Sequence, residues 1–350
     1  MAIYIQFNWF NSSSIVGDGA GALFKKRITG ADLDTAHRWQ IAGTDLGIPY
    51  VLENGAIGFL FGDTFSSAWP EEGHGWRSPV MLRSHSLPGG TTGIVWDNAA
   101  RVATNGFAPA LFAKHANDVT FIPNDGISFP ETKRQIVSFM GIERCYNAPA
   151  ERGARWKSRY AGLAYTDNGN DFIRANIEFH NTADNSDPFQ MWSMQRDGQW
   201  VYIYSVRSGR QSGPMMLRRV NWEHLFSAKE YQCWGKKGDQ WDWGNPCTGL
   251  FEGNIGEPSV RKLSDGTWVM AYLNDKTGSI VTWKASSPTG PWSGEKVQVT
   301  QQQEANCYGG FIHPWSTSKP GDLHLMVSTW KHDLHGKSTA YHVSQWVASV

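Results

Sequence analysis

One stretch of sequence decides the fold: Ser259-Val-Arg-Lys-Leu-Ser-Asp-Gly-Thr-Trp-Val-Met-Ala-Tyr272. Two runs rich in β-branched and aromatic residues flank an Asp-Gly pair at 265–266. Asp-Gly between such runs is among the strongest short-range signals for a β-hairpin. A third run at 280–283 follows within reach of the second. The stretch therefore predicts a three-stranded antiparallel meander.

The same layout recurs along the chain at a loose spacing of about 50–65 residues. The other β-runs lie at 43–50, 57–65 and 80–84; at 126–129, 135–140 and 162–165; at 191–194, 200–204 and 215–218; and at 310–313, 323–327 and 340–343. Five meanders predict an all-β fold, a five-bladed β-propeller, whose ring closure should draw the first ~40 residues onto a blade. The alternative, a two-sheet sandwich, fits less well because its strands would not recur in groups. We expect an N-terminal extension over residues 1–24 and one propeller domain over residues 25–350.

Composition excludes several classes of partner. The 350 residues carry 32 Lys+Arg against 32 Asp+Glu, and this balance argues against nucleic acid, which would require a clustered excess of basic residues. No apolar run approaches the ~18 residues of a membrane span, so we expect no membrane insertion. The chain has 18 Trp, 11 Tyr and 17 Phe. So many indole rings cannot all be core, and a surface that stacks on sugar rings is one use for them.

The ends and the cysteines bear on location. The first ten residues show no basic region, long apolar stretch or cleavage site of a secretory leader. We expect an extracellular or virion-associated protein, with a cytoplasmic chain and a trimmed leader as the alternatives. Cys233 and Cys247 flank a loop of suitable length for a local disulfide, and free thiols are an equal alternative. Cys145 and Cys307 are left unassigned, and the cysteine spacing predicts no metal site.

The first predicted hairpin places two acids together. A turn centred on the Asn-Gly pair at 54–55 puts Asp45 opposite Thr64, and Asp63 opposite Leu46. Opposite positions lie about 5 Å apart and diagonal ones about 7–8 Å. Both carboxylates should therefore lie at one end of this hairpin. Either Asp alone could simply cap a turn, but two at the same end of one hairpin favour a functional pair.

The same construction in the other units brings further polar side chains to that end of the predicted propeller. They are Asn124, Glu143, Arg207, Arg210, Glu257, Asn274 and His313, with Trp69, Trp76, Tyr308 and Trp315 in adjacent loops. Two of the candidates have equally good structural interpretations. Arg77 could be an ion-pair partner within the fold, and His313 could be a core histidine whose hydrogen bonds are satisfied.

Six short motifs, in one order along the chain, resemble a known family. They are Thr44-Asp-Leu-Gly-Ile-Pro49, Phe61-Gly-Asp-Thr-Phe65, Trp76-Arg-Ser-Pro79, Gly256-Glu-Pro-Ser259, Gly290-Pro-Trp-Ser293 and Tyr308-Gly-Gly-Phe-Ile-His-Pro-Trp-Ser316. The pattern is similar to domain of unknown function 4185, also catalogued as glycoside hydrolase family 183, over roughly residues 25–348. The resemblance implies a five-bladed propeller and endo-D-arabinanase activity on mycobacterial arabinogalactan and lipoarabinomannan. It also implies essential aspartates at Asp45 and Asp63, and an origin in actinobacteria or their phages.

Glycoside hydrolysis requires one protonated carboxyl and one ionised carboxylate, and two nearby acids split their pKa values in that way. We assign these roles to Asp45 and Asp63, prefer inversion to retention, and keep Glu257 and Glu143 as reserve acids. The predicted substrate contacts are Trp76, Arg77, Arg210, Asn274, Tyr308, His313 and Trp315. We expect no cofactor and a D-arabinan polysaccharide as partner, and we consider virion tail proteins and a second copy of the chain as further partners.

Two other classes of function remain as alternatives. A non-catalytic carbohydrate-binding propeller, such as a phage adhesin, would keep the groove but would have no need of two facing carboxylates. A structural tail or scaffold protein predicts no acids in the groove at all. Turnover of purified arabinogalactan discriminates between these alternatives and an enzyme.

Overall fold

A computed structural model of the chain describes residues 21–146 and 153–350. In these two ranges the elements, in chain order, are β1 (Leu23–Arg27), α1 (Asp34–Trp39), β2 (Leu46–Val51), β3 (Ile57–Phe61), β4 (Val80–Ser84), β5 (Asn98–Ala99), β6 (Phe121–Phe129), β7 (Arg134–Cys145), β8 (Trp156–Thr166), β9 (Ile173–His180), β10 (Met191–Asp197), β11 (Trp200–Val206), β12 (Ser212–Asn221), β13 (Gln232–Lys237), β14 (Gln240–Trp243), β15 (Phe251–Lys262), β16 (Trp268–Asn274), β17 (Ser279–Ala285), β18 (Ser293–Val299), β19 (Cys307–Ile312), β20 (Leu323–His332) and β21 (Ser338–Ala348). Short 3-10 helices lie at Pro70–Glu72, Ser208–Arg210, Trp222–His224 and Ala228–Glu230. The predicted all-β class is confirmed, and each predicted β-run overlaps an observed strand.

The strands form consecutive antiparallel meanders, as the turn signals predict. Strands β2 to β5 make one sheet and β6 to β9 a second, while β19, β20 and β21 make a third together with β1. The two remaining meanders share one nine-stranded sheet, because β12 pairs with β15 over residues 212–215 and with β11 over residues 216–221. The sequence gives no signal for this bridge between two meanders.

The first strand of each meander lies on the inside of the molecule. Strand β2 packs beside β6, β6 beside β10, β10 beside β15, β15 beside β19, and β19 beside β2 again. A buried ion pair ties three of them together: Arg261 on β15 donates to Asp125 on β6 at 2.7 Å and to the carbonyl of Pro49 on β2 at 2.8 Å. A buried pair of this kind costs several kcal/mol to break from one side, because the remaining charge is then unpaired.

The two ends of the described chain meet in one sheet. Strand β1 pairs with β21, with Leu23 opposite Val347 and Arg27 opposite Ser344. The expectation that the N-terminal segment joins a sheet is thus met by residues 23–27. Residues 1–20 of the predicted extension lie outside the described residues.

Strands β13 and β14 form a hairpin that branches from β12 in the nine-stranded sheet and carries a disulfide, and we call it the disulfide hairpin. Cys233 and Cys247 are joined, with their Cα atoms 5.0 Å apart, which confirms the predicted pairing. The guanidinium of Arg219 lies 4.0 Å from the ring centre of Trp200 and 4.3 Å from that of Trp243, so it attaches the hairpin to the sheet.

Aromatic side chains divide between core and surface. Trp39, Trp192 and Trp268 are fully buried, whereas Trp241 and Trp330 are 39% and 40% exposed. The expectation that the tryptophans cannot all be core is confirmed. Among the described residues, no helix combines the length and apolar character needed to cross a bilayer.

Candidate active site

The turn of the first hairpin sets the register of the site. Leu52 N–H donates to the carbonyl of Ala56 at 2.8 Å, and Gly55 N–H donates back to Leu52 at 3.0 Å. Gly55 has a φ of 84°, in the left-handed region that favours glycine. A turn followed by such a glycine adds one residue to one strand, so the pairing differs by one position from that of a two-residue Asn-Gly turn.

The open end of this hairpin holds both aspartates. Thr44 lies opposite Thr64, with their hydroxyl oxygens 2.7 Å apart, so the predicted pairing of Asp45 with Thr64 is wrong by one residue. Leu46 pairs with Phe61, so the predicted pairing of Asp63 with Leu46 is wrong by two residues, because the register shifts again between Leu46 and Ile48. Gly62 N–H donates to the backbone carbonyl of Asp45 at 3.3 Å, and Asp63 follows directly. A Cβ on Gly62 would lie 2.4 Å from Oδ1 of Asp45, so a glycine is needed there to make room for the carboxyl.

Asp45 occupies an environment that favours the protonated carboxyl. Burial raises its pKa to about 7, the charge of Asp63 adds to the shift, and Glu257 contributes a smaller amount. Hydrogen bonding by Tyr308 and Tyr341 opposes this rise in pKa; the Tyr308 hydroxyl donates to Oδ2 at 3.0 Å. Oδ1 is buried and has no described hydrogen-bond partner. A carboxyl with one bare buried oxygen holds a proton more readily than an exposed one.

Two hydrogen-bond donors hold the carboxyl group of Asp63. Its Oδ1 accepts from the indole Nε1 of Trp76 at 2.9 Å and from the hydroxyl of Thr120 at 2.6 Å. Burial raises its pKa, and these two donors oppose the rise because they stabilise the carboxylate. Tyr341 donates to the backbone carbonyl of the same residue at 3.0 Å, which fixes the strand end. The two aspartates therefore have unlike surroundings.

A third acid adjoins the pair. Glu257 is buried, and its Oε1 accepts from Nε of Arg210 at 2.8 Å and pairs with Nη2 at 2.7 Å. Its Oε2 is buried with no described partner. The backbone at Glu257 has a φ of 40°, a conformation that is strained for any residue except glycine and is concentrated at functional sites. Arg210 also lies over the ring of Tyr308, 4.9 Å from its centre, so it connects the third acid to the tyrosine that bonds Asp45.

A groove leads away from the acids. A cavity of about 410 Å³ is lined by Arg210 and Tyr308 on the side of the acids, and by Arg155, Asp275 and Trp330 beyond them. A second cavity of about 410 Å³ shares Arg155, Arg210 and Asp275 with the first. The two cavities therefore adjoin at these three residues, and together they are called the groove.

Comparison of the sequence with family models assigns the chain to a family. Residues 30–347 match the model described as Domain of unknown function (DUF4185). This chain belongs to the DUF4185 family. The resemblance carried by the six motifs is confirmed at that level.

Similar sequences and solved structures give further context for this DUF4185 chain. Notoamide biosynthesis cluster protein J of Aspergillus sp. (strain MF297-2) is 47% identical over 352 residues, covering 97% of this chain and 93% of its own length. A solved Bacteroides ovatus protein superimposes with a TM-score of 0.60 at 15% identity, covering 89% and 87% of the two chains. The catalytic domain of a Coprinopsis cinerea GH62 α-L-arabinofuranosidase gives a TM-score of 0.52 at 10% identity, covering 95% and 98%. At these identities the solved structures show the fold alone, the propeller type also found among glycoside hydrolases. The phage origin stays a prediction.

Arg77 of this DUF4185 chain lies inside the fold. It is buried, and its guanidinium donates to the carbonyls of Trp39, Gln40, Gly75 and Ala108 at 2.7–3.2 Å. These bonds join three loops, and they give Arg77 a structural role in place of the predicted sugar contact. The structural alternative was an ion pair, yet the described partners are backbone carbonyls and one serine hydroxyl.

His313 and Trp315 lie apart from the acids. His313 is fully buried, its Nδ1 accepts from the backbone N–H of Trp315 at 3.2 Å, and burial lowers its pKa to about 3. It follows the end of β19, whereas Tyr308 lies at the start, so about 16 Å of extended strand separates the two. The structure thus brings Tyr308 to Asp45 and does not bring this histidine there.

Two further predicted residues lie outside the acid cluster. Glu143 accepts from Arg144 at 2.5 Å and pairs with Lys157 at 3.0 Å, and these contacts hold its pKa below the usual range. It therefore stays ionised and is a poor proton donor. Asn274 ends β16, where its carbonyl accepts from Gly278 N–H at 2.8 Å. Neither residue has a described hydrogen bond to Asp45.

Sequence reasoning missed two site residues and the far wall of the groove. Thr120 directly precedes β6, a strand-end position that could have marked it. Tyr341 sits within β21 and gives no local signal, since it reaches Asp63 from the last sheet. Arg155 and Asp275 lie in or beside turns between strands. In the described ranges no cluster of three or more His, Cys, Asp or Glu side chains is suited to hold a metal ion.

Proposed function

We propose that this protein is a glycoside hydrolase in which Asp45 is the general acid and Asp63 the general base. One observation carries the proposal: two neighbouring carboxyls lie at one hairpin end in unlike surroundings, and the pKa of Asp45 is raised to about 7. Pairs of titratable groups whose environments separate their pKa values mark acid–base assignments. Asp45 has a bare buried oxygen that retains a proton, whereas Asp63 accepts two hydrogen bonds that favour the carboxylate.

The proposed reaction is a single displacement. Water attacks the anomeric carbon and gives its proton to Asp63, while the bond to the leaving oxygen breaks and that oxygen takes the proton of Asp45. Both donors to Asp63 bond Oδ1, so Oδ2 has no described partner and can accept from the attacking water. We therefore propose inversion, with the product anomer opposite to that of the substrate.

Glu257 has a supporting role in this proposal. Arg210 holds one of its oxygens, and its negative charge helps keep the proton on Asp45. Removing this acid should lower the pKa of Asp45 and so reduce the protonated fraction at neutral pH. Such a variant should keep activity at acidic pH but lose it at lower pH than the wild-type protein on the basic side of the activity profile. Loss of the proton donor would instead lower activity throughout.

Further proposals concern the number of blades and the substrate. Five inner strands that each pack beside the next support a five-bladed propeller. The open groove beside the acids supports attack within a polymer, and the six motifs support α-D-arabinofuranosyl linkages as the target. A polysaccharide partner would place the protein outside a cell, an environment where the Cys233–Cys247 disulfide persists.

Product analysis tests the activity directly. The protein is incubated with purified mycobacterial arabinogalactan, and the earliest products are separated by size and examined by proton NMR for their anomeric form. We expect oligosaccharides before free arabinose, in the inverted configuration, and no turnover by Asp63→Asn. Asp167→Asn is the matched control, since Asp167 pairs with Arg134 on the surface. Absence of any glycan hydrolysis by the wild-type protein would refute the proposal.

One observation favours a second candidate. The Aspergillus relative that matches almost the whole chain is named as a notoamide biosynthesis cluster protein. The same acid pair could then serve proton transfer on a substrate of that biosynthesis in place of a polysaccharide. If the wild-type protein hydrolyses no glycan, the acid pair is better tested on substrates of that biosynthesis.

A further inference from the structure

The first cavity of the groove is connected to the acid pair through Tyr308. Tyr308, which donates to Asp45, forms part of its wall, and Trp330 and Asp275 line it farther out. Its volume of about 410 Å³ is within the range of small-ligand sites, about 300–1,000 Å³.

One side of this cavity is a fixed aromatic ring. Trp330 is 40% exposed, although its indole Nε1 already donates to the Ser338 hydroxyl at 2.8 Å. The ring meets that of Tyr341 at 61°, with centres 5.4 Å apart, and Tyr341 in turn bonds Asp63. Because both the N–H and the ring orientation are held, the exposed part of Trp330 offers an apolar surface at little cost in side-chain entropy.

The other side carries charges that cancel. Nε and Nη2 of Arg155 both donate to Oδ1 of Asp275, at 3.0 and 2.8 Å, which leaves Oδ2 without a described partner. Arg210 is engaged by Glu257. Each guanidinium on this wall is thus paired with a carboxylate, so a carboxylate or phosphate of a ligand would have to compete with Asp275 or Glu257. A hydroxyl group, in contrast, could donate to the open carboxylate oxygen.

We propose that this cavity binds one neutral sugar unit next to the bond that is cleaved, with the apolar face of the sugar on Trp330 and a hydroxyl donating to Asp275. The inference rests on the proposed glycosidase function and adds the chemistry of its neighbouring subsite. The paired charges select uncharged sugars over uronic acids. Trp330 acts on affinity for longer substrates and takes no part in proton transfer.

Two substrates of different length separate this role from catalysis. KM and kcat are measured on an arabinofuranosyl oligosaccharide and on para-nitrophenyl α-D-arabinofuranoside, which need not fill the cavity. We expect Trp330→Ala to raise KM for the oligosaccharide roughly tenfold or more, since a lost apolar pocket contact is worth about 10–200-fold. Turnover of the short substrate should be unchanged, and Trp330→Phe should restore much of the loss. Trp241→Ala is the control, because Trp241 is 39% exposed on the disulfide hairpin.

Binding measurements keep this test independent of turnover. Calorimetric titration of the inactive Asp63→Asn protein with the oligosaccharide should show affinity that the added Trp330→Ala change removes. Equal affinity in both proteins would overturn the subsite, even if the wild-type protein hydrolyses glycans. Loss of binding without any wild-type hydrolysis would support the subsite and refute the proposed function.

Discrimination between neutral and acidic oligosaccharides provides a second test of the subsite. The wild-type protein should bind the neutral oligosaccharide more tightly than one that carries a glucuronic acid residue. Asp275→Asn frees Arg155 from its pair, so it should narrow or reverse this preference. Tighter binding of the acidic oligosaccharide by the wild-type protein would overturn the proposal.

Discussion

Replacing Asp45 by asparagine should stabilise the protein at neutral and basic pH while it abolishes activity. The folded protein raises the pKa of this carboxyl from 3.8 to about 7. Between these values the folded state binds a proton that the unfolded state has lost, so wild-type stability falls as the pH rises through that window. Asparagine is neutral throughout, so its advantage grows from pH 4 to pH 7 and is then constant.

The size of the effect follows from the shift. A rise of about three pKa units corresponds to about 4 kcal/mol, at 1.36 kcal/mol per unit, and this is an upper limit. Solvent at the groove screens part of the charge, so we expect about 2 kcal/mol above pH 7 and almost none near pH 4. Hydrolysis should fall by about a thousandfold, in the middle of the range of about 10²–10⁴ that positioned proton transfer contributes.

The assay is thermal unfolding of wild-type and Asp45→Asn protein from pH 4 to pH 9, with turnover measured on the same samples. Asp167→Asn serves as control: its pKa is lowered by the hydrogen bonds from Arg134, so its removal should cost stability above the unfolded pKa. A difference in melting temperature between wild type and Asp45→Asn that does not change with pH would refute the burial argument. Near-normal turnover by Asp45→Asn would refute its role as the acid.

Other changes should separate structural from catalytic contacts. Trp76→Phe removes one hydrogen-bond donor to Asp63, so the pKa of Asp63 should rise, and the acidic limb of the kcat/KM profile should move to higher pH. Arg77→Met leaves several buried carbonyls unpaired and should lower the free energy of unfolding by about 3 kcal/mol in denaturant titrations, with kcat unchanged. Replacing Cys233 and Cys247 by serine should cost about 3 kcal/mol in the chain-entropy model without loss of activity, and thiol titration of unfolded, unreduced wild type should find two reactive cysteines in place of four.

Local signals predicted most of the strands, because Asp-Gly and Asn-Gly turns act within a few residues. The predicted register of the first hairpin was wrong because it depends on the backbone conformation at Gly55 and on the irregularity between Leu46 and Ile48, neither of which the sequence states. Asp45 and Asp63 could be placed together since one short hairpin carries both. Trp76 and Tyr308 were also identified, and both bond the acids.

Burial explains what sequence reasoning could not resolve. Arg77 in a loop and His313 before a proline look like site residues until the loops that cover them are known. Tyr341 reaches Asp63, and Arg155 reaches the groove, from distant parts of the chain. No periodicity within a strand indicates which neighbouring sheet a side chain will face. The pairing of β12 with β15 could not be predicted for the same reason, because it depends on how two meanders pack against each other.

The pairing of β1 with β21 has a consequence for how the protein folds. Residues 28–337 lie between these two strands, so their ladder closes a very long loop and carries the corresponding loss of chain entropy. Such contacts form late and slowly compared with local hairpins. During synthesis, β1 must wait without its partner until the ribosome has released the last residues of β21. The edge of β1 is therefore exposed throughout translation, and Lys25 and Lys26 within it provide the charges that discourage premature pairing with other chains.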